Sequence, residues 1–211
     1  MPYFQCTPKT TIMPSDHTLP RRRVLQLLAA TMGGLALPAR AVAAPPPGDP
    51  QPVYLPPGAG KKGKIAVNDI SFKLSSAHTS GLLGSAETVL YPGYMGAPPH
   101  RHKGFDEVCR VLEGRLSILV GKELYEVEAG GWHLRPRGIT HAFWNSGPVP
   151  ARFIEMYLPG GHERYMEELT TLFENGRQPR PGEVDAIARK HDIEFFWDEL
   201  PALLAKYKVR L

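Results

Sequence analysis

The chain has 211 residues, a length that fits one domain with extensions. Its formal charge is +4, yet residues 1–43 hold Lys9, Arg21, Arg22, Arg23 and Arg40 against Asp16 alone, so 44–211 is neutral and lacks the field that phosphate-backbone binding requires. Two cysteines, Cys6 and Cys109, exclude a disulfide scaffold, no apolar run of about 18 residues is present to span a membrane, and nucleic acid is not an expected partner. The 21 glycines and 22 prolines favour turns and short strands over a helical bundle.

Residues 1–43 read as an address. Pro20-Arg21-Arg22-Arg23-Val24-Leu25-Gln26 leads into an apolar stretch over 24–37, and Ala41-Val42-Ala43 supplies a small-x-small cleavage site. The segment resembles a twin-arginine export signal, with Pro20 where Ser or Thr is commoner. That resemblance implies a protein that folds in the cytoplasm and reaches the periplasm already folded. An amphipathic helix of the mature fold is the alternative. Cleavage near Ala44 removes Cys6 and leaves no stable membrane insertion. Seven prolines lie in 44–57, so 44–63 is expected to be an extended linker.

From 65 to about 158, short β-runs alternate with turn residues roughly every 8–12 residues. Strands are expected at 116–120, 123–127, 132–135, 141–144 and 151–158, a spacing that predicts an antiparallel sandwich or barrel. After Gly160-Gly161 the period changes. Tyr165, Met166, Leu169, Leu172 and Phe173 recur at helical spacing up to Gly176. Pro181 opens a second helix with Val184, Ile187 and Ala188, and a third includes Leu203, Leu204 and Tyr207. Residues 161–211 are therefore expected to form a helical extension packed on the sheet.

The chemistry-bearing residues concentrate between 93 and 145. His100-Arg101-His102 follows Pro98-Pro99, where an extended strand should begin, and residues two apart on a strand share a face at roughly 6.5–7 Å between Cα atoms. Two imidazoles on one face can converge on one ion. Glu107 lies at an odd offset from His102, and a bend over 103–106 lets it return on the next strand. His141 opens a further strand after the Pro136-Arg137-Gly138 turn. Three neutral nitrogens and one carboxylate suit a divalent transition metal and leave two positions of a six-coordinate ion open. A His-x-His pair by itself also fits surface or core histidines. The set of four is the stronger signal, because strands and turns agree with it.

His100, His102, Glu107 and Gly114 keep the spacing His-x-His-(x)4-Glu-(x)6-Gly, with Tyr94 standing between Gly93 and Gly96 where a leading Gly is expected. Gly130, Pro136, Gly138, His141 and Asn145 keep the spacing Gly-(x)5-Pro-x-Gly-(x)2-His-(x)3-Asn. These spans resemble the two motifs of the cupin superfamily. The resemblance implies an all-β fold: a single-domain cupin double-stranded β-helix (jelly-roll barrel) at 64–160, with the C-terminal helical extension at 161–211. It also implies a metal held by His100, His102, Glu107 and His141. The extension is similar to that of quercetin-dioxygenase-like bacterial cupins.

Phe105, Cys109, Trp132, Phe143 and Met156 are candidates for an apolar substrate pocket, with barrel core as the alternative for each. Cys109 and Phe143, at even offsets from Glu107 and His141, should face inward. Arg101 should point outward, the faces of Arg110 and Arg135 stay open, and His78, His133, His162 and His191 read as structural or surface residues. The expected function is an exported metal-dependent oxidoreductase of the dioxygenase kind acting on a small organic substrate, with Glu107 as ligand and proton acceptor. A non-catalytic periplasmic binding protein and a metal-dependent lyase or decarboxylase are the alternatives, because one cage serves several chemistries. Folding before export favours manganese or iron over nickel, zinc, cobalt or copper. A small molecule is the expected partner, and a homodimer is allowed.

Overall fold

The computed structural model describes residues 51–180 and 182–211. The export signal read in 1–43, the linker up to residue 50 and Pro181 lie outside the described residues. In chain order the strands are β1 (Lys61–Ile65), β2 (Asn68–Phe72), β3 (Gly84–Leu90), β4 (Met95–His102), β5 (Asp106–Glu113), β6 (Arg115–Val120), β7 (Glu123–Glu128), β8 (Trp132–Arg135), β9 (His141–Trp144) and β10 (Ala151–Leu158). Helices α1 (His162–Thr171) and α2 (Glu183–Lys190), the short strand β11 (Ile193–Phe195) and helix α3 (Leu200–Tyr207) follow.

The strands form two sheets, one ordered β1-β2-β3-β10-β5-β8 and the other β11-β4-β9-β6-β7. The strand pairings are antiparallel throughout. From β3 to β10 the chain crosses between the sheets at every step except β6–β7, as in a jelly roll, and the inward faces of both sheets share one core. Leu90, Cys109, Val111, Ala151 and Phe153 come from the first sheet, and Leu116, Ile118, Val127 and Phe143 from the second. Alternation produces this core directly. In β10, Ala151, Phe153, Glu155 and Tyr157 are buried, while Arg152, Ile154 and Met156 between them face out and are only partly covered. Burying an aromatic or branched side chain of this kind stabilises the fold by about 1.5–3 kcal/mol.

Two segments depart from the sequence reading. β1 begins at Lys61, inside the stretch expected to be linker to residue 63, and pairs along its whole length with β2. Its Lys61, Lys62 and Lys64 hide the strand from a search for apolar alternation; an edge strand needs little burial, and exposed lysines protect such an edge. β11, in the extension expected to be helical, pairs Ile193, Glu194 and Phe195 with His102, Arg101 and His100. The helices then cover the barrel in two places. Tyr165 and Leu169 of α1 pack with Ile187 and Ala188 of α2 and Ile193 of β11. Leu203 of α3 packs with Met95, Ala142 and Trp144 on the outer face of the second sheet.

Candidate metal centre

Strand order brings the four chemistry-bearing residues together. His100 and His102 leave β4 on one face, and His141 stands opposite His100 across the β4–β9 ladder. Glu107 comes from β5, in the other sheet, because the turn after His102 crosses from one sheet to the other. The cluster thus bridges the sheets at one mouth of the barrel, with three histidines facing one carboxylate. Gly138, in the left-handed region at φ +79°, gives its N–H to the carbonyl of His102 at 2.8 Å, which binds the turn before His141 to the end of β4. Asn145 plays a scaffolding part: its amide donates to the carbonyls of Leu90 and Val149, both at 2.8 Å, and its Oδ1 accepts the N–H of Gly147.

The tautomers follow from the backbone. Nδ1 of His100 lies 2.8 Å from the carbonyl of Pro98, Nδ1 of His102 2.9 Å from that of Phe105, and Nδ1 of His141 2.9 Å from that of Ile139. A carbonyl only accepts, so each Nδ1 carries the proton and each neutral ring keeps a bare lone pair on Nε2. Nε2 of His102 and of His141 then face Glu107 Oε2 at 3.3 and 3.5 Å, acceptor against acceptor. His141 Nε2 is buried without a hydrogen-bond partner. Such a constellation calls for a cation between the groups. One ligand atom from each of the four buried residues lies within 4.8 Å of the others, close to the ~4 Å between opposite ligands of one ion. The donor set fits a divalent metal.

Burial, with the neighbouring His141 second, pushes His100 well below the usual imidazole range, and burial also lowers His141. Burial disfavours the Glu107 carboxylate as well, but the Arg135 guanidinium beside it outweighs burial and holds Glu107 well below the usual carboxylate range. Arg135 is fully buried, one of the arginines whose face the sequence left open. Its Nη2 reaches Glu107 Oε1 at 3.3 Å and Glu155 Oε1 at 2.8 Å, while its guanidinium lies 4.7 Å from the centre of the Phe143 ring. Glu107 therefore offers Oε2 to the cluster and Oε1 to Arg135. One arginine cannot compensate two carboxylates fully, and burial together with the Glu107 charge pushes Glu155 up. Arg135 and Glu155 are the residues of the site that sequence reasoning did not place; a Glu in an alternating apolar strand was the available signal.

The five residues read as pocket candidates divide. Phe143 lines a cavity of about 550 Å³ that opens beside His100 and Glu107. Phe105 stacks on His102 with ring centres 3.9 Å apart, behind the cluster. Cys109 faces inward as expected but belongs to the apolar core, and burial pushes its thiol up to about 11, so it is no thiolate ligand. Trp132 and Met156 do not enter the pocket. Glu107 pairs with Arg135 on one side and Tyr157 on the other; paired residues share a face, so Trp132 and Met156 fall on the outside. Trp132 is 61% exposed and stacks against Arg110 there. Arg101 points outward and pairs with Glu194 of β11 at 2.6 Å, tying the extension to the strand that carries both histidines. His162, read as structural or surface, is buried beside the cluster and lines the cavity.

Residues 86–157 match the family model described as a cupin domain. That span, about a third of the chain, contains all four clustered residues. Among solved structures, the chain is similar to a predicted oxalate decarboxylase from Thermotoga maritima, at 20% identity and a TM-score of 0.42, covering 44% of this chain and 80% of that one. It is similar to KdgF from Halomonas sp. at 16% identity and a TM-score of 0.41, covering 46% and 84%. A sugar phosphate isomerase from a cupin superfamily, from Silicibacter pomeroyi, is 25% identical over 43% of this chain and 59% of that one, with a TM-score of 0.39. No curated protein matches the chain. Among the described residues of this cupin-fold protein, no helix is long and apolar enough to cross a membrane.

Proposed function

We propose that this chain is an exported metal-dependent cupin oxidoreductase of the dioxygenase kind, acting on a small organic substrate. One observation carries the reading: three Nε2 lone pairs and an ionised carboxylate converge beside a cavity of about 550 Å³, the size of a small-molecule site. A divalent metal, when bound, supplies Lewis acidity and, if redox-active, a route for electrons between an organic substrate and dioxygen. His100, His102 and His141 would hold it, their rings already locked by backbone carbonyls. Glu107, with Oε1 held by Arg135, would supply the single ligand charge. Its second role is proton acceptor toward a substrate hydroxyl, with the carboxylate kept in place by Arg135 at Oε1.

The export signal at 1–43, the linker and the likeness of the extension to quercetin-dioxygenase-like bacterial cupins complete the reading. Manganese or iron is the proposed metal, since a protein folded before export takes its ion in the cytoplasm. Elemental analysis of protein purified from its own host, followed by oxygen uptake with phenolic, flavonol and diketone compounds, tests the proposal. Oxygen consumed in step with product supports it. Product without oxygen uptake points to a lyase or decarboxylase, and a retained ligand without turnover to a binding protein. Copper at full occupancy would sink the metal assignment. Replacing Arg21, Arg22 and Arg23 by Lys should leave unprocessed precursor in the cytoplasm, because the export receptor reads guanidinium groups; normal processing of that variant would overturn the export reading.

A further inference from the structure

The cavity beside the cluster has a wall that the barrel does not supply. Met166 and Leu169 of α1, Val184 of α2 and Phe195 of β11 line it, so the C-terminal extension encloses the space next to His100 and Glu107. His162, the first residue of α1, belongs to that wall. Its position is fixed by the residue after it. Glu163 is buried, and its carboxylate accepts the N–H of Ser76 at 2.6 Å and of Gly161 at 2.7 Å, pinning the start of α1 to the barrel's 3₁₀ turn at Ser76–Thr79.

The His162 ring is 7% exposed, packed against Phe105 and Tyr157 at 4.6 Å between ring centres and 6.0 Å from the ring of His102. Its Nδ1 is buried and has no hydrogen-bond partner. Burial holds the ring's pKa down to about 3, so at neutral pH it carries one N–H and one lone pair. Packing among aromatic rings does not require an imidazole; a phenyl ring would fill the same space without leaving a buried nitrogen unpaired. Aromatic rings dominate the rest of the lining, with Phe143, Tyr165, Phe173, Phe195 and Trp197 around the space, and Gln178, Arg180 and Asp185 also reach it. Flat rings stack well against such walls.

We propose that His162 is the hydrogen-bonding anchor of the substrate pocket, and that the substrate is an aromatic compound bearing hydroxyl or carbonyl oxygens, one directed to the His100–His102–Glu107–His141 cluster and another to His162. This rests on the metal-centre reading above and adds the substrate class and the residue that selects it. His162 thereby joins the extension to the chemistry of the barrel: the wall excludes water, and its buried imidazole, the wall residue packed beside His102, orients the bound molecule.

The test uses the full-length metal-loaded protein and two probes, 4-nitrocatechol, which is coloured and aromatic, and oxalate, which offers oxygens without an apolar body. Metal content is measured first, then 4-nitrocatechol binding by its visible spectrum and oxalate binding by competition. His162→Phe should keep the metal and the oxalate affinity while weakening 4-nitrocatechol about tenfold, the loss expected for one hydrogen bond. His162→Gln, which restores a donor and an acceptor, should recover part of it. Val184→Trp, which fills the cavity from α2, should abolish 4-nitrocatechol binding with the metal retained. Should His162→Phe fail to fold, as judged by circular dichroism, His162→Gln and Val184→Trp decide the matter. Equal 4-nitrocatechol affinity in wild type and folded His162 variants overturns the anchor, as does an equal loss for both probes. A metal-loaded wild type that binds oxalate but not 4-nitrocatechol overturns the substrate class and leaves the metal centre standing. A wild type that takes up no metal overturns the metal centre, and this proposal with it.

Discussion

The two halves of the barrel interior are built from the same strands and differ in almost everything else. Along β5 the inward residues run Glu107, Cys109, Val111, and along β9 they run His141, Phe143. Toward one end the interior is apolar, with Val111, Leu116, Ile118 and Phe153 fully buried. Toward the cluster it holds three histidines, two glutamates and an arginine, each at 5% exposure or less. The apolar half stabilises the fold by removing surface from water. The polar half costs stability, since buried charges are tolerated only where partners compensate them. Here Arg135, three backbone carbonyls and the inferred cation do so. One half can therefore be damaged with loss of fold, the other with loss of metal.

Substitutions in each half sharpen that contrast. Phe153→Ala in the apolar half should lower stability by about 3–5 kcal/mol, read from urea unfolding, while the protein that stays folded keeps its metal. Next comes Arg135→Met, which strands Glu107 and Glu155 without their shared cation; a loss of about 3 kcal/mol is expected, partly restored when Glu155→Leu is added. If the double variant is no better than the single one, the two carboxylates do not compete for Arg135. His141→Ala should weaken metal binding by more than about a hundredfold, since removing a ligand costs more than removing a group behind one, with circular dichroism unchanged, whereas Cys109→Ser should keep full occupancy. Full metal content in His100→Ala, His102→Ala and His141→Ala alike would falsify the site. Glu107→Gln should retain partial occupancy and lose most turnover.

The smallest effect belongs to the turns that hold the cluster. Arg137 donates through Nε and Nη2 to the Asp106 carboxylate at 3.0 and 2.8 Å, linking the turns before β5 and β9, and lowers Asp106 to about 2. The group's pKa is depressed on folding, so its contribution is present above the unfolded value near 4 and is lost as pH falls toward 2. Both side chains are well solvated, so Asp106→Asn should cost less than about 1 kcal/mol at pH 7. The same difference should appear at pH 5 and vanish near pH 2. A penalty that persists in acid would mean that Asp106 acts through shape and not charge.

Much of this organisation was legible in the residues alone. Alternation and turn glycines marked β6 to β10, helical spacing marked α1, and the two spaced motifs picked out His100, His102, Glu107 and His141, which the strand order gathers into one cluster. These signals are local: each depends on residues a few positions apart. What failed depended on partners far along the chain. Alternation states which residues of a strand share a face, but the register of β5 between β8 and β10 decides which face is inner, and it sends Trp132 and Met156 outside and Arg135 inside. β1 and β11 exist because an edge was there to pair with, and neither carries a pattern of its own. His162 stands in no motif and reaches the cluster's cavity only because Glu163 pins α1 to the barrel. The ligand set was written in sequence spacing; the charge beside it and the wall above it were decided by the packing of the two sheets and the extension, where burial and pairing set the energies.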